Sequence, residues 1–193
     1  MPTTIVYDAC ALYPAALRDL LIRIAMEGLC QARWSDDILD EVFANLRQAR
    51  PDLDPAKLAR TRRRMCAAVP DCLVVDYLDL VDFLDLPDPS DRHVLAAPIR
   101  AGAEVIVTDN LKDFPDLKLR PHGVVAWSAD ELVVRVIESA PVQVTEIVER
   151  QAADLKNPTC TVEALLQKLR GQGLIRSVAL LAGYLVHESP GSS

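Results

Sequence analysis

The sequence predicts an α/β fold: a parallel sheet flanked by helices on both faces, followed by an all-helical C-terminal extension. Three observations carry that prediction. Short β-branched runs alternate with segments of helical apolar spacing over the first two thirds of the chain. Two of those runs, "TTIVY" and "VIVT", read as buried strands that end on an aspartate. Beyond Ser128 the strand pattern stops and only helical periodicity remains.

Residues 4–8 form the first strand. Over 14–28, Leu17, Leu20, Leu21, Ile24 and Ala25 recur at helical spacing, with Pro14 suited to a first turn and Gly28 to a C-terminal stop. A short strand over 30–34 precedes a helix that Ser35 caps and that runs to about residue 49, with Ile38, Val42, Phe43 and Leu46 inward. Asp54-Pro55 opens a third helix, which Pro70 closes. "CLVVDY" at 72–77 reads as the third strand. "PDPSDRHVLAAPIRAGA" is a turn and a helix, and "EVIVTDN" is the fourth strand. "HGVVAWSADE" supplies a fifth strand and then a capping box of Ser128 and Glu131. Four helices follow, over 129–139, 142–155, 161–170 and 174–186, broken at "KNPTC" and "GQG". Two units are expected, residues 1–128 and residues 129–193, with "HESPGSS" a frayed tail.

At 193 residues, half of them apolar, the chain can bury a substantial core. A net charge of -7 argues against a protein that grips nucleic acid through a broad basic surface. It leaves room for an enzyme whose own acidic cluster adds to the excess and whose contact with nucleic acid is brief. "TTIVYDACALYPAAL" follows the initiating residues directly, so no signal peptide is expected. "SVALLAGYLV" is too short for a bilayer span. The 5 cysteines are odd in number and lack a C-x-x-C pair. Free thiols in a reducing cytoplasm are expected, rather than disulfides or a zinc site.

The chemistry is carried by acids. In an open parallel sheet, ligands bind outside the carboxyl ends of the strands, so Asp8 and Asp109 should face one crevice. Glu41 lies about two turns into the second helix, and Asp88 and Asp91 stand three apart at the start of the fourth. Four or five converging carboxylates repel and raise one another's pKa unless a cation neutralises them. Oxygen donors select Mg2+ or Mn2+ over zinc. Such an ion can activate water for attack on a phosphodiester. Asp8 and Asp109 would ligate directly; Glu41 and Asp91 would ligate directly or through water, and one of them would orient the nucleophile.

The stretches "VYDACALYPAALRDLLIRIA", "RWSDDILDEVFANL", "PDPSDRHVLAAPIRAGA" and "VIVTDNLKDFP" resemble, in order and spacing, the PIN-domain family, and more narrowly its VapC-type toxins. The resemblance covers about the first 125 residues. It implies a doubly wound five-stranded fold, magnesium-dependent endoribonuclease activity, inhibition by a small cognate antitoxin, and frequent homodimers. It puts the family's acidic quartet on Asp8, Glu41, Asp91 and Asp109, with Asp88, Asp113, Thr108 and Asn110 as second-rank site residues. Three positions depart from it: Cys10 stands where asparagine is frequent, Ser90 where an acid is, and Pro98 where alanine is usual and where a kink is expected.

Single residues also have simpler readings. Any one of these acids alone would pass for a turn, cap or first-turn residue. The run Lys57, Arg60, Arg62, Arg63, Arg64 is equally a solvated helix face or the local contact for RNA phosphates. Arg18 and Arg92 lie near the motifs and are further RNA candidates. His93 reads as structural, Trp34 and Trp127 as core-edge packing, and Leu165, Leu166 and Leu169 as packing or a groove for dimer or antitoxin. A haloacid-dehalogenase-like phosphatase would need a second acid where Cys10 stands, and a dinucleotide-binding module would need glycines that "DACALYPAA" lacks. The remaining rival is a catalytically inactive PIN scaffold used for binding.

Overall fold

The computed structural model describes residues 2–156 and 158–187, without the side chains of residues 186 and 187. From residue 188 onward the expected tail lies outside the described residues. Four strands, β1 (Thr4–Tyr7), β2 (Gln31–Arg33), β3 (Val105–Val107) and β4 (Val125–Trp127), form one parallel sheet in the order β2-β1-β3-β4. Ile5 aligns with Ala32 on one side and Val105 on the other, and Val107 aligns with Trp127. The chain leaves β1 towards opposite edges, so the sheet reverses its winding between β1 and β3. The crevice at such a reversal is where open α/β sheets bind ligands.

Four strands form where five are expected, and the one missing is the third. Of "CLVVDY", only Leu73 bridges Trp34, through Trp34 N–H to Cys72 O (2.8 Å) and Val74 N–H to Trp34 O (2.9 Å). Asp71 (φ 55°) just before the segment and Asp76 (φ 56°) within it adopt the left-handed region, which cuts the extended stretch short, and Val75 is exposed.

The helix expected over 14–28 forms, and a separate turn that the spacing does not announce precedes it. α1 (Ala9–Leu12) is a single turn started by Asp8, and α2 (Ala15–Met26) follows Pro14, whose ψ of 124° keeps it outside the helix. α3 (Asp36–Ala49) and α4 (Pro55–Ala68) begin where their caps predict: Ser35 Oγ accepts from Ile38 N–H (3.2 Å) and Asp54 Oδ1 from Ala56 N–H (2.8 Å). A short α5 (Leu78–Val81) leads to a 3-10 turn over Pro89–Asp91 and to α6 (Arg92–Ala101). α6 runs through Pro98 and stops at Gly102, whose φ of 63° suits glycine. α7 (Asp116–Leu119) precedes β4.

Helices α8 (Ala129–Ser139), α9 (Pro141–Asp154), α10 (Val162–Gly171) and α11 (Ile175–His187) follow within a residue of expectation. Half of the capping box forms. Ser128 Oγ accepts from Glu131 N–H (3.1 Å), while the Glu131 carboxylate turns to Arg135 (2.8 Å). The α8 helix packs against β4, α9 and α10 against α2, and α11 against α8, so the C-terminal helices share the core of the sheet. Two glutamines, buried Gln151 and half-buried Gln172, pin that contact: Gln151 Nε2 donates to Ala16 O (2.9 Å), and Leu17 N–H donates to Gln172 Oε1 (2.8 Å). The five cysteines are free thiols, as expected. Among the described residues no helix is long and apolar enough to cross a membrane.

Candidate metal centre

Asp8 leaves β1 with extended backbone (ψ 160°) and starts α1, so its carboxylate is held at the sheet's carboxyl edge. Oδ1 accepts from Ala9 N–H (2.6 Å). Oδ2 accepts from the Thr108 hydroxyl (2.7 Å), which stands just past β3, and from the Cys10 thiol (3.1 Å). Thr108 is fully buried, and its Oγ1 also accepts from Asn110 N–H (3.0 Å). Two adjacent strands therefore meet on one carboxylate at the reversal point.

Asp91 closes the 3-10 turn ahead of α6. Its carboxyl is pushed up to about 6, first by burial and then by the charges of Asp8, Asp88, Asp113 and Glu41. Its Oδ2 is buried with no hydrogen-bond partner among the described residues. Glu41, on α3, is raised by partial burial and by Asp8. Asp113, at the end of a 3-10 turn over Leu111–Asp113, is held by Asn110 Nδ2 (2.6 Å), and its side chain keeps 18% exposure. Asp88 sits at the rim, where the Ser90 N–H (2.9 Å) and hydroxyl (2.7 Å) hold its carboxyl below the usual range. Ser90 thus shapes the turn rather than adding an acid.

Asp109 is placed differently. It is exposed, its Oδ1 accepts from Ala129 N–H (3.3 Å) at the start of α8, and it is absent from the charges that act on Asp91. The charges of Asp8, Glu41, Asp88 and Asp113 thus act on Asp91, whereas the Asp109 carboxylate turns towards the C-terminal helices. Among the described residues no three acidic, histidine or cysteine side chains stand together at ligating distance. The acids are coupled through their charges without being closed into a coordination sphere. The donor set still fits a hard divalent cation: all-oxygen, with one unpartnered buried carboxylate oxygen and a carboxyl whose proton such a charge would displace.

His93 and Cys10 also border the centre. His93 Nε2 lies 4.0 Å from Glu41 Oε2, while its Nδ1 is buried and unpartnered among the described residues; burial lowers its pKa against the pull of Asp37 and Asp8. No sequence signal marks this, because the contact spans α3 and α6. Cys10, where the family resemblance has asparagine, is part of the hydrogen bonding around Asp8. Its Sγ also touches Thr108 Oγ1 (3.3 Å) and accepts from Asp109 N–H (3.2 Å). Beside it opens a cleft of about 330 Å3 lined by Ala9, Cys10, Tyr13, Glu41 and Asn45.

Of the cationic candidates, Arg18 is half-buried and spends Nη1 on the carbonyls of Leu12 (2.7 Å) and Tyr13 (3.0 Å). Arg92, at the start of α6, has a buried Nε with no partner among the described residues. On α4, Arg62 is neutralised by Asp36 (2.7 Å) and Asp40, whereas Lys57, Arg60, Arg63 and Arg64 are exposed.

The repulsion at Asp91 sets the sign of a stability effect. A carboxyl raised from 3.8 to about 6 contributes stability that is complete below its unfolded value and is lost as pH rises through about 6. Against an Asp91→Asn variant, which keeps His93 and the opposite slope of its lowered pKa, the metal-free wild type should lose more melting temperature between pH 5 and pH 7. Equal pH dependence of the two proteins would contradict the placement of Asp91.

A family model described as "PIN domain" matches residues 3–112, and one described as "VapC50 C-terminal domain" matches residues 129–183. A Mycobacterium tuberculosis protein named "Putative ribonuclease VapC50" is 37% identical over 82 residues, which are 42% of this chain and 48% of that relative. The match thus spans about half the relative's length. No solved structure matches the chain. With the PIN-domain match covering more than half of the residues, and a parallel sheet that gathers acids at its winding reversal, the chain belongs to the PIN-domain family.

Proposed function

We propose that the protein is a Mg2+-dependent endoribonuclease of the VapC type, the toxin of a toxin–antitoxin pair acting in the cytoplasm. The observation that carries this is the Asp91 carboxylate, half-buried, unpartnered at Oδ2, and faced by Asp8, Glu41, Asp88 and Asp113. Asp8, Glu41, Asp91 and Asp113 are the proposed ligands of Mg2+ or Mn2+, with Asp113 in the place the sequence suggested for Asp109. A divalent cation there supplies activation of water and neutralisation of charge on the phosphate. Thr108 and Cys10 orient Asp8 through Oδ2, and Asn110 orients Asp113. The cleft by Tyr13 and Asn45 gives an RNA strand access to this edge. Residues 1–128 are the proposed nuclease unit and residues 129–193 its helical extension. The name of the mycobacterial relative supports the ribonuclease reading, and an antitoxin and a second copy of the chain are its expected protein partners.

Incubating the protein with RNA, with Mg2+ or with EDTA, beside an Asp8→Asn variant, tests this. Cleavage is expected only from the wild type with metal. Equal cleavage by both proteins would overturn the metal centre, and no cleavage by either would favour a binding scaffold. For substrate contact, Arg60→Ala with Arg64→Ala in the Asp8→Asn background should reduce the slope of log Kd against log salt by roughly 1.4, the value for two single-strand phosphate contacts. An unchanged slope would return α4 to a solvated helix face.

A further inference from the structure

We propose that Asp109 is the joint through which the C-terminal helices hold the metal-site loop in place, a positioning residue and not a ligand; this rests on the metal-centre reading above. Its main-chain N–H is bound to Cys10 Sγ (3.2 Å), and the same sulfur donates to Asp8 Oδ2 (3.1 Å). Its carboxylate leaves the acidic cluster and takes Ala129 N–H (3.3 Å), an amide of the first turn of α8 that has no partner within its own helix. A carboxylate at that end also meets the positive pole of the helix. One residue therefore touches the Asp8 network with its backbone and the helical region with its side chain.

The connection continues one residue further. Asp130, next to Ala129, gives its carboxylate to the first turn of α11, accepting from Arg176 N–H (3.0 Å), Ser177 N–H (2.9 Å) and the Ser177 hydroxyl (2.6 Å). Ser177 is fully buried, so this contact is shielded from competing water. The helical region grips the other side of Asp8 as well. Gln151 and Gln172 hold the first turn of α2, and Arg18 of that helix holds the last carbonyls of α1, the turn that Asp8 begins. The turn carrying Asp8 and the loop carrying Asp113 are thus both anchored to residues beyond 128. A merely appended helical domain would have no reason to make those bonds.

A ligand needs its charge, whereas a joint needs only an acceptor oxygen. Asp109→Asn keeps that oxygen and Asp109→Ala removes it. Calorimetric titration with Mn2+ should find Asp109→Asn within about twofold of the wild type and Asp109→Ala weaker by about tenfold, the scale of lost outer contacts at metal sites. RNA cleavage should follow with kcat reduced and KM unchanged. If Asn binds Mn2+ as poorly as Ala does, Asp109 is a ligand and the proposal fails. If Ala lowers only the melting temperature and leaves Mn2+ affinity intact, the bond is a local helix cap and the proposal fails. Hydrogen exchange on the metal-free proteins decides the joint separately from the metal. Asp109→Ala should speed exchange over residues 106–113 and 175–178 together, and Asn should not. Faster exchange in α8 alone would overturn the joint, while a wild type that binds no Mn2+ would overturn the metal-centre reading instead.

Discussion

An Asp91→Asn variant is expected to lose RNA cleavage by on the order of a thousandfold while its metal-free form melts at a higher temperature than the wild type. Both effects come from one carboxylate. Burial and four neighbouring acids lift it to about 6, so at neutral pH it is ionised at the expense of stability. Asparagine keeps the shape and removes the charge, relieving the repulsion. Discounted for the solvent that a half-exposed group still meets, the gain should be about 2–4 °C, what roughly 1 kcal/mol makes in a domain of this size. A gain in stability with loss of activity is the signature of a charge kept for function. Activity and midpoint measured on the same preparation check it. A variant that melts lower, or that cuts RNA at the wild-type rate, would remove Asp91 from the centre.

The largest loss of stability is expected from Trp34→Ala, at about 3–5 kcal/mol. Trp34 is fully buried where β2 gives way to α3, with its ring stacked on Tyr7 at 6.4 Å and 21°. Truncation leaves a cavity against Tyr7 of β1, the residue before Asp8. Its Nε1–H has no hydrogen-bond partner among the described residues, and an unpaired buried donor is itself destabilising. Trp34→Phe removes that donor and keeps a stacking ring, so it should stay within about 1 kcal/mol of the wild type. Denaturant midpoints of the three proteins measure this. A phenylalanine variant as unstable as the alanine one would mean that Nε1 is satisfied in solution.

Periodicity carried most of the architecture, and each failure has a local cause. Ser35, Asp54, Ser128 and Thr161 cap helices that their spacing announces. "CLVVDY" has strand composition, yet Asp71 and Asp76 adopt left-handed backbone, which no apolar pattern reveals. Asp8 was legible because a buried strand ends on it. Asp109 and Asp113 follow the same strand four residues apart, and only the intervening 3-10 turn sends the second back towards Asp91. His93 meets Glu41 across two helices, a contact carried by packing rather than by spacing.

The bond between Thr108 and Asp8 joins residues 100 apart, and the pairing of β1 with β3 closes a loop of the same length. A ribosome adding about 5–20 residues per second takes on the order of 5–20 s to cross that interval. For that time Asp8 exists on a nascent chain that has not yet made its central strand neighbour. Helices α8 to α11 emerge later still. A chain of this topology cannot present the assembled acidic edge to the RNA around it until synthesis is well past β3, which leaves an interval for a partner protein to meet it first.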